Sequence, residues 1–171
     1  DPRFNTDDMH AFIESLRKMG IDTIRGGLYA DKSMKDSALL GSGWCWDDNN
    51  PVLSPLIYGR RDVFMDKFVQ ELNDAGIVIE AFTATGNTPQ EAITICSRFH
   101  TIDQILMRMM KESDNLYAEA MFYQMAAATG NKQATGKNAA SVVNRLIDKL
   151  GLRSADYRIA DGSGLSLYNY V

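Results

Sequence analysis

The amino-acid sequence predicts an α+β protein, and two features of its pattern support this class. In three places an amphipathic stretch ends in a glycine and an apolar run follows; these glycines are Gly20, Gly76 and Gly151. A glycine just past a helix adopts the left-handed conformation at no steric cost, so each junction predicts a helix, a stop and a strand. From Thr101 onward the pattern is mainly helical. The chain should therefore alternate helices and strands first and be mostly helical afterwards.

The first predicted helix begins at Asn5 or Thr6. Either residue can cap a helix, and two aspartates follow in the first turn, where the helix dipole favours negative charge. A strand is predicted over 24–31. Within it, Gly26 and Gly27 indicate a bulge or a close backbone approach.

A long connection over 32–61 separates this strand from the next helix. It is rich in Ser, Gly, Asp, Asn and Pro, and it contains two tryptophans, Trp44 and Trp46. Connections of this length are usually functional or anchored. A second helix over about 62–75 and a strand over 77–83 are predicted after it.

The second half begins with a capping pattern, because Thr101 and Gln104 have the spacing of a capping box. The predicted elements here are helices over about 101–112, 116–130 and 138–150 and a last strand over about 157–160. We place a domain boundary between about residues 90 and 100, so that 1–95 and 96–171 form two domains.

Composition excludes several classes of protein. Lys and Arg number 18 and Asp and Glu number 22, which gives a net charge of −4, and no basic stripe suited to nucleic acid is present. No stretch of the sequence approaches the run of about 20 apolar residues that a membrane-spanning helix needs. The chain opens on Asp1 with no signal peptide, so we expect a mature or excised piece.

Cysteines and histidines give no metal signature. Cys45 and Cys96 lie far apart, and they fit either a disulfide or two separate buried thiols. His10 and His100 have no partner at ligand spacing. We therefore expect no metal site.

The segment from Ser113 to Glu119 places three short polar residues at a junction between two helices. Ser113, Asp114 and Asn115 are all good capping residues, so helix capping explains them when they are taken alone. Another polar segment runs from Asp161 to Ser166. Its glycines allow a tight turn, which is also a sufficient explanation by itself.

Together the two segments resemble the class C low-molecular-mass penicillin-binding proteins, the D-alanyl-D-alanine carboxypeptidase/endopeptidase family of the bacterial cell wall. Ser113-Asp114-Asn115 matches the family's Ser-x-Asn element, and Asp161-Gly162-Ser163-Gly164 follows about fifty residues later. Residues 26–31, 41–48 and 54–56 resemble the domain that this family inserts into its catalytic fold. The resemblance implies a transpeptidase-like fold, with 1–95 as an inserted α/β domain and 96–171 as the helical part of the penicillin-binding domain.

The resemblance also implies roles for individual residues. Ser113 would relay a proton between the lysines and the departing D-alanine, and Asn115 would orient the substrate peptide. Asp114 would be structural, and the turn formed by Asp161, Gly162, Ser163 and Gly164 would support the wall of the site. The implied ligands are peptidoglycan stem peptides and β-lactams, no cofactor is implied, and the implied compartment is the periplasm or cell envelope.

Two further elements that the family uses are not matched. The Ser-x-x-Lys spacing at Ser15 and Lys18 lies inside the first predicted helix, off its apolar stripe, and we take it as coincidence. Thr135-Gly136-Lys137 has the reverse order of the family's Lys-Thr-Gly. We therefore expect the 171-residue chain itself to be inactive.

Two alternatives remain open. The chain could be a non-catalytic cell-envelope binding module in which Ser113 only caps a helix, or an unrelated helical domain with accidental motifs. We also expect a tendency to form a homo-dimer through exposed apolar faces.

Overall fold

The structure is a computed structural model, and it describes residues 1–130 and 133–170. Within these residues the chain forms five α-helices, two β-strands and one short 3-10 helix. In chain order these are α1 (Thr6–Lys18), β1 (Thr23–Ala30), α2 (Phe64–Asp74), β2 (Val78–Thr85), α3 (Ile102–Glu112), α4 (Asn115–Ala127), α5 (Gly136–Lys149) and the 3-10 helix (Ser154–Asp156).

The chain packs into two compact units. The first contains Arg3–Lys32 and Leu56–His100, and the second contains Ser33–Pro55 and the described residues from Thr101 onward. Residues 33–55 join the second unit because they pack there: the buried side chain of Leu53 lies in the same apolar cluster as Phe122. These two units are defined by which residues pack together in space. They do not test the division into 1–95 and 96–171, which stays a prediction about the family's domains.

The first unit is built on a parallel pair of strands. Its register runs without interruption from Thr23 opposite Val78 to Ala30 opposite Thr85. The bulge that the two glycines suggested is therefore wrong. Gly27 instead leaves room for an aromatic ring, since a β-carbon there would lie 2.6 Å from the Tyr29 side chain.

Helices α1 and α2 cover one side of this strand pair. Ile13, Leu72 and Ile77 form the buried centre of the contact. The predicted start of α1 is confirmed, because the Asn5 side chain accepts hydrogen bonds from the Asp7 and Asp8 amides as part of a capping box.

The second unit is centred on α4, which packs against both α3 and α5. The predicted capping box at the start of α3 is confirmed. The buried residues of the core come from α4, α5 and two neighbouring loops; they are Leu53, Phe122, Tyr123, Ala126, Ala134 and Ala139.

The predicted last strand over 157–160 is wrong. The chain instead forms a 3-10 helix over Ser154–Asp156, and a single bridge follows between Arg158 and Tyr170. A strand pairs with its neighbour over several residues, and in the part of the chain that the structure describes the pairing consists of two backbone hydrogen bonds of 2.9 and 3.1 Å.

Both thiols are free. Cys45 is exposed and Cys96 is half-buried, so the disulfide alternative and full burial of both thiols are wrong. Across residues 1–130 and 133–170, no helix has the length and apolar character needed to cross a membrane.

Candidate active site

Ser113 lies at the junction between α3 and α4 in an unusual backbone conformation. Its φ and ψ are 50° and 45°, in the left-handed region, and Arg60 is the only other non-glycine residue with positive φ among the described residues. This conformation ends α3 and starts a new helix two residues later. A non-glycine residue pays a steric cost there, which is a feature typical of functional sites.

Asp114 is buried and caps α4. Its Oδ1 accepts a hydrogen bond of 3.1 Å from the Leu116 amide, and its Oδ2 accepts one of 3.1 Å from Arg108 Nε. The hydrogen bond to Asp114 raises the pKa of Arg108, and the Arg108 guanidinium also lies over the Tyr117 ring. The carboxylate of Asp114 therefore holds the junction together from inside.

The flanking side chains of Ser113 and Asn115 are available to a ligand. Ser113 is exposed and Asn115 is half-buried. Within the part of the chain that the structure describes, neither the Ser113 hydroxyl nor the Asn115 amide has a hydrogen-bond partner. A hydroxyl and an amide in this arrangement can donate to or accept from a bound peptide.

One turn further along α4, Glu119 connects the helix to the glycine-containing turn. Its Oε1 accepts hydrogen bonds from the amides of Gly162, at 2.9 Å, and Ser163, at 2.8 Å. Glu119 is only 1% exposed. Burial raises the pKa of its carboxyl, and the nearby charge of Asp161 adds to this, while hydrogen bonds from Ser163 and Gly162 act in the opposite direction.

Gly162 is the point where the turn touches α4. A β-carbon at this position would lie 2.5 Å from Cβ of Phe122 and 3.0 Å from the carbonyl oxygen of Ala118. The backbone of the turn lies directly on the helix, so no residue larger than glycine fits at this position.

Asp161 organises the turn itself. Its Oδ1 accepts from the Gly164 amide at 2.9 Å and from the Asn169 side-chain amide at 2.7 Å. Its Oδ2 accepts from the Ser166 amide at 2.6 Å and from the Trp44 indole at 2.7 Å. This buried carboxylate therefore fixes the shape of the turn and attaches the loop that carries Trp44.

A buried lysine lies against the same helix. Lys35 Nζ donates to Asp36 Oδ1 at 2.6 Å and lies 4.5 Å from the centre of the Tyr123 ring. Burial raises the pKa of Tyr123, and the negative charge of Asp36 adds to the effect. The sequence predicted no role for Lys35, Glu119 or Trp44, although Glu119 and Trp44 lie within segments that carry the family resemblance.

The structure thus brings together the two motifs that the sequence singled out. Residues 113–115 form the junction at which α3 ends and α4 begins, and residues 161–164 lie against the next turn of α4. The Ser15 and Lys18 spacing is not assembled into a site, because the Ser15 hydroxyl donates to the Ala11 carbonyl within α1 while Lys18 is exposed.

Thr135 has a capping role in the second unit. Its Oγ1 accepts from the Asn138 amide at 3.1 Å, which places the reversed Thr-Gly-Lys sequence at the start of α5.

Among the described residues, no group of three or more His, Cys, Asp and Glu side chains is placed to hold a metal ion.

Solved structures show which fold this is. The crystal structure of penicillin binding protein 4 (dacB) from Haemophilus influenzae matches 99% of the chain with a TM-score of 0.89 and 19% sequence identity. A structure of that protein complexed with a β-lactam matches 99% of the chain with a TM-score of 0.75, also at 19% identity. The chain therefore has a penicillin-binding, transpeptidase-like fold of mixed helices and strands.

The chain spans about half of the length of these solved relatives, since it covers 56% and 54% of them. A curated relative, the D-alanyl-D-alanine carboxypeptidase DacB of Haemophilus influenzae, is 28% identical over 114 residues. That alignment covers 66% of this chain and 24% of the relative.

A family model covers the whole given sequence in two matches and confirms the resemblance that the two motifs suggested. It is described as the D-Ala-D-Ala carboxypeptidase 3 (S13) family, and it matches residues 1–60 and 60–171. The chain belongs to the D-Ala-D-Ala carboxypeptidase 3 (S13) family.

Proposed function

We propose that this chain carries the Ser-x-Asn part of a serine-type D-Ala-D-Ala carboxypeptidase or endopeptidase that cleaves peptidoglycan stem peptides through an acyl-enzyme. The observation that supports this most strongly is the junction at 113–115, where the side chains of Ser113 and Asn115 have no partner within the described residues and the glycine-containing turn lies one helical turn away. The relative whose structure is complexed with a β-lactam supports β-lactams as further ligands.

Each polar residue at the junction has a distinct proposed role. Ser113 is the proton relay, because an exposed hydroxyl can pass a proton to the departing D-alanine. Asn115 orients the substrate peptide through its side-chain amide. Asp114 is occupied by the Leu116 amide and Arg108, so it supports the junction and does not contact the peptide.

The turn at 161–164 forms the supporting wall of the proposed site. Asp161 is fully engaged by internal hydrogen bonds. Gly162 and Ser163 hold their backbone amides toward Glu119 rather than toward a ligand. None of these groups is free to react, so their contribution is to shape the site.

Acyl transfer needs a serine activated by a base, and we propose that the isolated chain does not perform it. Its Ser15 hydroxyl is engaged by a helix carbonyl, and Lys18 is exposed. Incubation with labelled penicillin followed by mass spectrometry should show no covalent adduct. An adduct on Ser113 or Ser15 would contradict this part of the proposal.

Peptide recognition is tested by titrating the chain with a stem peptide that ends in D-Ala-D-Ala. Losing one hydrogen bond to a ligand costs about 1.4 kcal/mol, so Ser113→Ala and Asn115→Ala should each weaken binding about tenfold. Ser97→Ala is the matched control, because Ser97 is an exposed serine in the first unit. It should bind as the wild type does.

The same titration tests the alternative of a non-catalytic envelope module. In that case a wall fragment would bind, but Ser113→Ala and Asn115→Ala would bind as tightly as the wild type. The compartment proposed for either function is the periplasm or cell envelope, and this follows from the family and not from the geometry.

A further inference from the structure

The side chain of Glu119 lies between the two parts of the proposed site. It follows Asn115 by four residues on α4, so the two side chains stand on the same face of the helix one turn apart. Its Oε1 accepts from the Gly162 and Ser163 amides at 2.9 and 2.8 Å. Glu119 is therefore in contact with the turn and shares a helix with Asn115, one of the two residues that would hold the peptide.

A buried carboxyl group in this place is costly, which indicates a specific role. Glutamate is almost never fully buried unless its oxygens are paired, yet this side chain is only 1% exposed. An apolar side chain of similar size would fill the space, but it would leave two backbone amides without an acceptor.

Support of the turn's own shape does not explain Glu119, because another residue already provides it. Asp161 accepts from the amides of Gly164 and Ser166 and closes the turn from within. The two hydrogen bonds of Glu119 run instead from the turn to α4. Their effect is to fix where the turn lies along the helix.

The packing of Gly162 makes this placement sensitive to small changes. Its backbone lies on the Ala118 carbonyl and the Phe122 side chain with no space for a β-carbon. A side chain at position 119 that is one methylene shorter cannot reach both amides unless the turn moves toward the helix, where there is no room.

We propose that Glu119 is a positioning residue that sets the turn at Gly162 and Ser163 relative to Ser113 and Asn115, and that peptide affinity depends on this setting. The inference rests on the proposed function, because it assumes that Ser113 and Asn115 bind the stem peptide. It adds a residue that contacts neither the peptide nor the reacting atoms and acts through the turn.

Three substitutions of Glu119 separate its possible contributions. Glu119→Gln keeps an oxygen acceptor at the same reach, Glu119→Asp keeps the charge but shortens the side chain, and Glu119→Ala removes the acceptor. Gln124→Ala is the matched control, since Gln124 is an exposed residue of the same helix. Each variant is titrated with the D-Ala-D-Ala stem peptide at a temperature where circular dichroism shows it to be folded.

We expect Glu119→Ala and Glu119→Asp to weaken peptide binding about tenfold, and Glu119→Gln and Gln124→Ala to stay within about threefold of the wild type. If Glu119→Ala does not fold, Glu119→Asp decides the question. A folded Glu119→Asp or Glu119→Ala variant that binds as the wild type does overturns the inference.

A double-mutant cycle distinguishes positioning from a general loss of stability. If Glu119 acts through the geometry around Asn115, combining Glu119→Asp with Asn115→Ala should be less harmful than the product of the single effects, by about threefold or more. Independent effects of the two substitutions would overturn the inference.

Peptide binding by the wild type and by Ser113→Ala separates a failure of this inference from a failure of the proposed function. If the wild type binds the peptide and Ser113→Ala weakens it, the proposed function holds whatever the Glu119 variants do. If the wild type does not bind the peptide, the proposed function fails, and the role of Glu119 fails with it.

Discussion

The indole N–H of Trp44 donates a hydrogen bond of 2.7 Å to Oδ2 of Asp161, a residue 117 positions later in the chain. The same oxygen accepts from the Ser166 amide at 2.6 Å. Trp44 also packs against the apolar cluster that contains Phe122. One aromatic side chain thus attaches the loop over 33–55 both to the core of the second unit and to the turn of the proposed site.

Trp44→Phe tests this attachment, because it keeps a ring in the cluster but removes the donor. Hydrogen bonds to charged groups contribute about 1.5–3 kcal/mol, so we expect the free energy of unfolding to fall by about that amount. Urea denaturation followed by circular dichroism measures it. Trp46→Phe is the control: Trp46 is 86% exposed, so this change should stay within about 0.5 kcal/mol. Equal effects of the two substitutions would show that the indole hydrogen bond does not matter.

Local signals in the sequence predicted the helices well. The capping residues Asn5 and Thr101 determine helix starts through contacts within a few residues, and such contacts can be read from the pattern. The prediction of a strand near Arg158 was wrong for the opposite reason. Its pairing depends on a segment outside the predicted strand, and among the described residues Arg158 pairs only with Tyr170.

The candidate site was predicted only in its outline. Short polar residues between two predicted helices indicated the junction at Ser113, but not its left-handed backbone. The burial and the role of Glu119 could not be predicted, because glutamate in a helix is usually exposed and its burial here depends on Gly162, 43 positions away. The one signal available was that Glu119 stands among apolar residues on nearly every side of its helix.

Ser113→Gly should make the protein more stable and weaken its binding of peptide. A non-glycine residue in the left-handed region costs about 1–2 kcal/mol, and glycine adopts the conformation freely. The entropy that glycine loses on folding offsets part of this gain, so we expect about 0.5–1 kcal/mol of added stability.

Thermal unfolding measures the stability of Ser113→Gly, and titration with the stem peptide measures its binding. Ser113→Ala, which keeps the strain, should weaken binding without stabilising, and a Ser113→Gly variant less stable than the wild type would contradict the strain at this position.

Asp8 should make the stability of the first unit depend on acid pH. Burial by itself would raise the pKa of this carboxyl, but the hydrogen bonds from Arg98 and from the Asn5 amide, together with the charges of His100 and Arg98, hold it below its usual 3.8. A lowered native pKa gives stability that is present above the unfolded value and is lost as the pH falls through the native value.

Asp8→Asn should remove that dependence. Urea midpoints between about pH 5 and about pH 2 should fall more steeply for the wild type than for Asp8→Asn. Asp7→Asn is the control, because Asp7 is the exposed neighbour in the same helix turn, and it should keep the wild-type slope. Parallel curves for the wild type and Asp8→Asn would exclude a stabilising carboxylate at this position.

Glu119 should produce the opposite pH dependence in the second unit. Burial raises the pKa of its carboxyl above the usual 4.5, so between the unfolded and native values the folded state binds more protons than the unfolded state. This contribution to stability is fully present below the unfolded pKa and is lost as the pH rises through the native pKa.

The Glu119→Gln variant has no titratable carboxyl at this position, so its urea midpoint should decline less than that of the wild type as the pH rises from 4.5. Glu112→Gln, at an exposed position of α3, should decline as the wild type does. A wild-type midpoint that rises over this interval relative to Glu119→Gln would reverse the sign and show that the two amides stabilise the charged form more than burial disfavours it.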